Sequence, residues 1–206
     1  MKAFSLIETI IIISIIAILS YLTLPKTNSN DLELISSKIV LYLKQTRYQA
    51  LIDNQYDPTN MKWQKKRWSM KFFRCNKKVG GLYYLIYSDK NTTGQIKKEH
   101  TLKDPLTKKY LYSFHTCTQT KDSSKYVLLT KNFDIVDVSL SCNSTDSLGQ
   151  ISFGSDGRVY SRLENTIEKT NKYEIKNPCT LKITHKNGDY KEIIIEPLTG
   201  YIYINR

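Results

Sequence analysis

A run of 21 residues from Phe4 to Leu24, FSLIETIIIISIIAILSYLTL, constrains this chain more than any other stretch. It is almost wholly apolar and is interrupted by one carboxylate, Glu8. As a helix rising about 1.5 Å per residue, a run of that length reaches across the roughly 30 Å hydrocarbon layer of a bilayer. Only Met1, Lys2 and Ala3 precede it. A secretory signal peptide places its small residues after the apolar core. Here the small residue stands before the core, so a cut between Ala3 and Phe4 would free a new N-terminus and keep the apolar helix. A charged side chain in a membrane span costs about 2.5–3.5 kcal/mol or more, so Glu8 calls for a partner. The plain reading is that it lies near the cytoplasmic edge and reaches the headgroups.

The rest of the 206 residues suits one globular domain. Lys and Arg number 31 against 19 Asp and Glu, a formal net charge of +12. Such a balance fits nucleic acid, anionic lipid or acidic protein partners without choosing among them. Lys2 on the short flank and the bulk of the chain after the run imply an N-terminus in the cytoplasm and a C-terminal domain outside it. The four cysteines, Cys75, Cys117, Cys142 and Cys179, are spaced by 42, 25 and 37 residues and contain no Cys-x-x-Cys. That pattern argues against a zinc ribbon and for two disulfides, with three connectivities open. Pairing sequence neighbours, Cys75–Cys117 and Cys142–Cys179, is the expectation adopted, each closed loop contributing roughly 3.5–4 kcal/mol.

Pro25 removes a helical N–H and marks a kink just past the apolar run. Asn30 and Glu33 have capping-box spacing. Leu32, Ile35, Ile39, Leu43 and Ala50 with Leu51 then recur at helical period, which predicts an amphipathic helix ending near Asp53. Collinear, the two helical parts make a rod of about 75 Å. From residue 60 the period becomes two. Strands are predicted around 68–73, 82–87, 125–130, 134–141, 150–153, 157–162, 180–185, 191–196 and 201–204, with Lys186-Asn187-Gly188-Asp189 as a hairpin turn. Residues 89–124 read as a polar extended hairpin or loop at the surface. The fold class expected is α+β: a long N-terminal helix, membrane-spanning in its first half and amphipathic in its second, packed on an antiparallel β-sandwich or curled sheet. The boundaries are a leader at 1–3, the apolar helix at 4–24, the amphipathic helix and linker at 25–59, and a β-rich domain at 60–206.

No catalytic constellation is visible. His100, His115 and His185 are isolated, and neither Glu99-His100 nor His115-x-Cys117 has a second pair to complete a metal site. No nucleophile elbow, phosphate loop or dinucleotide fingerprint appears, so neither enzyme activity nor a cofactor is expected. The most distinctive surface signal is residues 61–78, which carry eight basic side chains: Lys62, Lys65, Lys66, Arg67, Lys71, Arg74, Lys77 and Lys78. Trp63, Trp68, Phe72 and Phe73 are interleaved. The plain reading is a strand with apolar residues inward and a solvated lysine face. The functional reading is a polyanion patch in which rings stack on bases, and a third is contact with anionic headgroups.

The N-terminus resembles that of type IV pilins and type II secretion pseudopilins. The likeness rests on Lys2-Ala3, on Phe4-Ser5-Leu6-Ile7-Glu8, on the isoleucine-rich run and on Pro25; Ala3 departs from the usual glycine. The resemblance implies that a prepilin peptidase cuts before Phe4 and methylates the new amine. It also implies that Glu8 meets the Phe4 amine of a neighbouring subunit and sets filament register. Leu43 to Ala50, Ile151-Ser152-Phe153, Gly157-Arg158, Cys179 to Ile183 and Ile193 to Ile202 resemble the GspH/FimT branch of minor pseudopilins. Thr46 replaces an alanine of that pattern, and Tyr201 follows Gly200 where arginine is common. The resemblance implies a minor subunit of a secretion, pilus or competence filament. Its implied place is the bacterial inner membrane, single-pass, with the C-terminal domain in the periplasm. Its implied partners are other subunits, the prepilin peptidase, an inner-membrane assembly platform and, for a competence pilin using the basic patch, DNA. A membrane-anchored periplasmic protein with no filament role is the other alternative.

Overall fold

The computed structural model describes residues 6–23, 30–163 and 171–205. Contacts divide the chain into two units, Met1–Asn30 and Asp31–Arg206. The first contains α1, Leu6–Thr23. Its small hydroxyls are satisfied within the helix: Thr9 Oγ1 donates to Leu6 O and Ser14 Oγ to Ile10 O, both at 2.8 Å.

Two expectations about this region are corrected. The long N-terminal helix is two helices, α1 of 18 residues and α2, Asn30–Ile52, of 23. The sequence between them holds Pro25, which has no N–H to continue a helical ladder; the residue itself lies outside the described ones. Nor is a membrane-spanning helix found: among the described residues no helix is long and apolar enough to cross a membrane. The 18 residues of α1 rise about 27 Å against the roughly 30 Å required. Glu8, Thr9, Ser14 and Ser20 also interrupt its apolar surface. The single-pass inner-membrane placement falls with that helix.

The second unit is built on α2. Leu32, Ile35, Ile39, Leu43 and Ala50 are buried, and Tyr42, Ser36 and Thr46 are buried with them. Leu51 falls off the stripe and is 38% exposed. Among the described residues eight strands follow: β1 Trp68–Arg74, β2 Leu82–Tyr87, β3 Ile135–Leu140, β4 Gln150–Phe153, β5 Val159–Tyr160, β6 Cys179–His185, β7 Tyr190–Ile195 and β8 Ile202–Ile204. They make two four-stranded antiparallel sheets, ordered β2-β1-β4-β5 and β3-β6-β7-β8. In β6, Cys179, Leu181, Ile183 and His185 are buried while the residues between them are half-exposed, the pattern of a strand with one covered face. In β2 every residue is buried, as in a strand covered on both faces.

Residues 125–130, expected as a strand, form a 3-10 turn at Lys125–Val127 and lead into a short helix, α3, Leu129–Phe133. Ser124 caps the turn by accepting from Tyr126 N, and the left-handed Asp134 closes α3. Local side-chain bonding has displaced the extended conformation that Tyr-Val-Leu-Leu-Thr favours. Thr130 then joins the sheets, accepting from Leu82 N on β2 at 3.0 Å and donating to Ile135 O on β3. The segment 89–124 is a largely exposed loop with isolated bridges such as Lys103–Tyr110, as its polar composition predicts, and it also packs on the sheet. Leu102 N donates to Ile86 O at 2.9 Å and Ile86 N to Leu111 O at 3.3 Å, so this segment covers the free edge of β2. Leu102, Leu111 and Tyr112 are buried there. Disulfides join Cys75 to Cys117 and Cys142 to Cys179, with Cα atoms 5.8 and 5.3 Å apart. The first ties the residue after β1 to a turn near the end of that covering segment.

Candidate functional site

The apolar helix is the first candidate. Ala3, Phe4 and Pro25 lie outside the described residues. Glu8 stands in the first turn of α1, where the helix dipole favours a carboxylate. Ile10, Ile11, Ile12 and Ile13 are 55%, 52%, 45% and 66% exposed. Four successive residues point in directions about 100° apart, so the helix has apolar surface all the way round. A helix of this kind is stable only when something covers it.

The element Thr46-Arg47-Tyr48-Gln49-Ala50 has a structural role. Thr46 is buried and donates to Tyr42 O at 2.6 Å. Arg47 Nε donates to Thr199 O at 2.6 Å, tying α2 to the turn between β7 and β8. Gly200 in that turn has φ +60°, and a Cβ there would stand 3.1 Å from Arg47 Cδ and 3.0 Å from Gly157 O. The glycine is therefore required by both its dihedral and the close approach of α2. Glu33 pairs with Lys191 on β7 at 2.8 Å. At the far end of α2, Asp53 Oδ2 accepts from Trp68 Nε1 at 2.9 Å.

The basic run 61–78 is dispersed by folding. Lys62, Arg74, Lys77 and Lys78 are exposed, and Lys65, Lys66 and Lys71 are half-buried. Lys66 lies 3.9 Å from Asp57. Arg67 is only 7% exposed, its guanidinium carbon 3.7 Å from the centroid of the Tyr160 ring and 4.8 Å from that of Trp63. Its Nε and Nη1 have no hydrogen-bond partner, and burial pushes it below its usual pKa. Burial, and then Arg162 nearby, lowers Lys71 as well. Trp63, Trp68 and Phe72 are core residues, and Phe73 stacks on Tyr83 with centroids 5.3 Å apart. Lysines remain near both ends of β1, separated by the strand's length of about 20 Å.

Sequence reasoning missed Arg67 as a buried cation, because its neighbours on either side are lysine and tryptophan and no periodicity marks the turn before β1. It also missed an open groove of about 820 Å³ between α2 and β8, lined by Glu33, Val40, Lys44, Lys191, Tyr201 and Tyr203. His100, His115 and His185 do not converge: among the described residues no three His, Cys, Asp or Glu side chains form a metal-binding group. His185 Nδ1 instead lies 2.7 Å from Asn187 Oδ1 in the β6–β7 turn. Comparison with known proteins returns no family model, no curated protein and no solved structure that matches this chain significantly.

Proposed function

We propose that this chain is a filament subunit of the minor pilin or pseudopilin kind, cut before Phe4 and assembled through its apolar N-terminal helix. The observation that supports this most is α1, apolar around its circumference and carrying Glu8 in its first turn. Helices of further subunits, packed side by side, would cover that surface. The Phe4 amine of one chain, freed by the cut, would neutralise Glu8 of the next. A contact of one patch with a different patch on the next copy does not close on itself, so it propagates as a helical filament. The two-sheet unit then forms the outward part that meets neighbouring subunits or cargo.

The test uses the full chain produced in a host that has a prepilin peptidase. Intact-mass analysis should show loss of Met1-Lys2-Ala3 and gain of one methyl group. Glu8→Ala should reduce recovery of the subunit in sheared or pelleted filaments severalfold while leaving its cellular level unchanged. An uncut N-terminus, together with normal assembly of Glu8→Ala, would remove the proposal.

A further inference from the structure

Residues 89–100 connect β2 to the segment covering its edge, and their sequence is DKNTTGQIKKEH. Oxygen-ligand calcium loops of twelve residues place side-chain oxygens at positions one, three and five, a glycine at six and a final ligand at twelve. Here those positions are Asp89, Asn91, Thr93, Gly94 and His100. The spacing alone is weak, since threonine stands at five and histidine replaces the usual glutamate at twelve. The structure adds further observations, of which the bare buried oxygen of Asp89 weighs most.

Asp89 is 3% exposed, and its Oδ2 accepts from Gly94 N at 2.7 Å, folding the loop back over its first residue. Gly94 has φ +78°, the left-handed turn that the sixth position demands. The other carboxylate oxygen of Asp89, Oδ1, is buried without any hydrogen-bond partner. A buried carboxylate oxygen left bare is costly, because an ion takes several kcal/mol to desolvate. The two ends of the loop are joined by Ser88 N donating to His100 O at 3.1 Å, which sets position twelve beside position one. His100 Nδ1 is also buried without a partner.

We propose that residues 89–100 bind a calcium ion, with Asp89 Oδ1 as the anchoring ligand and oxygens of the loop completing the shell. The donor set is dominated by oxygen, which selects a hard cation over zinc or copper. One carboxylate is a low ligand charge, and the exposed Lys90 and Lys97 oppose a cation. Lys98 is held by Asp122. Affinity therefore belongs at the weak end of calcium loops, about 0.1–1 mM. Binding would fix the segment that covers β2, and it does not depend on the filament reading.

The full chain, in detergent, is titrated with terbium, whose emission is sensitised by nearby aromatic rings such as Tyr87. Calcium should displace terbium with half-effect at about 0.1–1 mM, and magnesium at the same concentrations should not. Asp89→Asn keeps an acceptor for Gly94 N and removes the charge, so it should abolish sensitised emission with an unchanged melting curve in chelator. Asp137→Asn, at an exposed carboxylate on β3 outside the loop, should bind as the parent does. No sensitised emission, emission unaltered by Asp89→Asn, or displacement by zinc but not calcium would each overturn the assignment.

Discussion

At the scale of single residues, Arg67 shows how a charge can serve packing. Its guanidinium lies over Tyr160 and beside Trp63, yet two of its nitrogens lack partners. Glu174, the nearby acid, already has Arg158 at 3.3 Å and Lys176 at 3.0 Å. Replacing a buried charge by an apolar group of similar volume is often neutral or stabilising, whereas truncation leaves a cavity. Arg67→Met should therefore fall within about 1 kcal/mol of the parent in denaturant unfolding. Arg67→Ala should lose about 2–4 kcal/mol. Equal losses for both would show that the cation itself is needed. Three tyrosines make a pH-dependent counterpart. Burial, reinforced by Asp104 for Tyr42, by Tyr42 for Tyr84 and by Asp89 for Tyr87, raises all three above the ordinary value of 10.0. A pKa raised on folding means the stabilisation is complete below the unfolded value and is lost as pH climbs toward the folded one. Stability should hold through neutral pH and fall above about pH 10. In an ultraviolet titration these three of the 15 tyrosines should ionise only as the chain unfolds. Ionisation of all 15 in one smooth step before unfolding would contradict the burial. None of this is legible in sequence, since a Tyr or Arg carries the same letter whether it is wet or dry.

At the scale of elements, periodicity was informative where one face of a segment is covered and misleading where local bonding competes. The alternation in β6 and the helical stripe of α2 are both visible as letters, because burial of one face imposes a period on the sequence. The Asn187-Gly188 turn was legible for a related reason: Gly188 has φ +92°, a conformation glycine adopts without strain. Residues 125–133 were not, because Ser124 and Asp134 decide the outcome through one cap and one left-handed dihedral. Apolar content is the same in a strand and in a short buried helix, so Leu128 and Leu129 could not discriminate. The segment 89–124 was legible only in part. Its polar composition suggested solvent, but its work is done by backbone groups that bond Ile86, and the sequence does not report which carbonyl an N–H will meet. The candidate loop at Asp89 divides in the same way: its spacing could be read, whereas the bare Oδ1 could be found only in three dimensions.

At the scale of the whole molecule, the question left by a formal charge of +12 is whether it amounts to a nucleic-acid surface. Charge alone gives sequence-independent attraction to phosphates; a single-strand binder adds exposed rings on which bases stack. The structure separates these two contributions. Lys62, Lys77 and Lys78 are exposed, while Trp63, Trp68 and Phe72, the rings that alternate with them in sequence, lie in the core. Removing Arg67 would test stability, not binding, so the informative variant replaces Lys62, Lys65, Lys77 and Lys78 by alanine. Fluorescence anisotropy with single- and double-stranded oligonucleotides of equal length should show weak binding at low salt that is absent near physiological salt. The log–log salt slope should become shallower in the variant by about 0.9 for each lysine that contacts a phosphate of the duplex. Single strands should gain no advantage over duplex, because stacking worth about 1–3 kcal/mol per base finds no fully exposed ring in this stretch, where Phe73 is half-buried and stacked on Tyr83. Salt-resistant binding with a preference for single strands would require aromatic groups outside this stretch, and among those exposed in the second unit Tyr201, with Tyr203 beside it on β8, would be the first pair to replace.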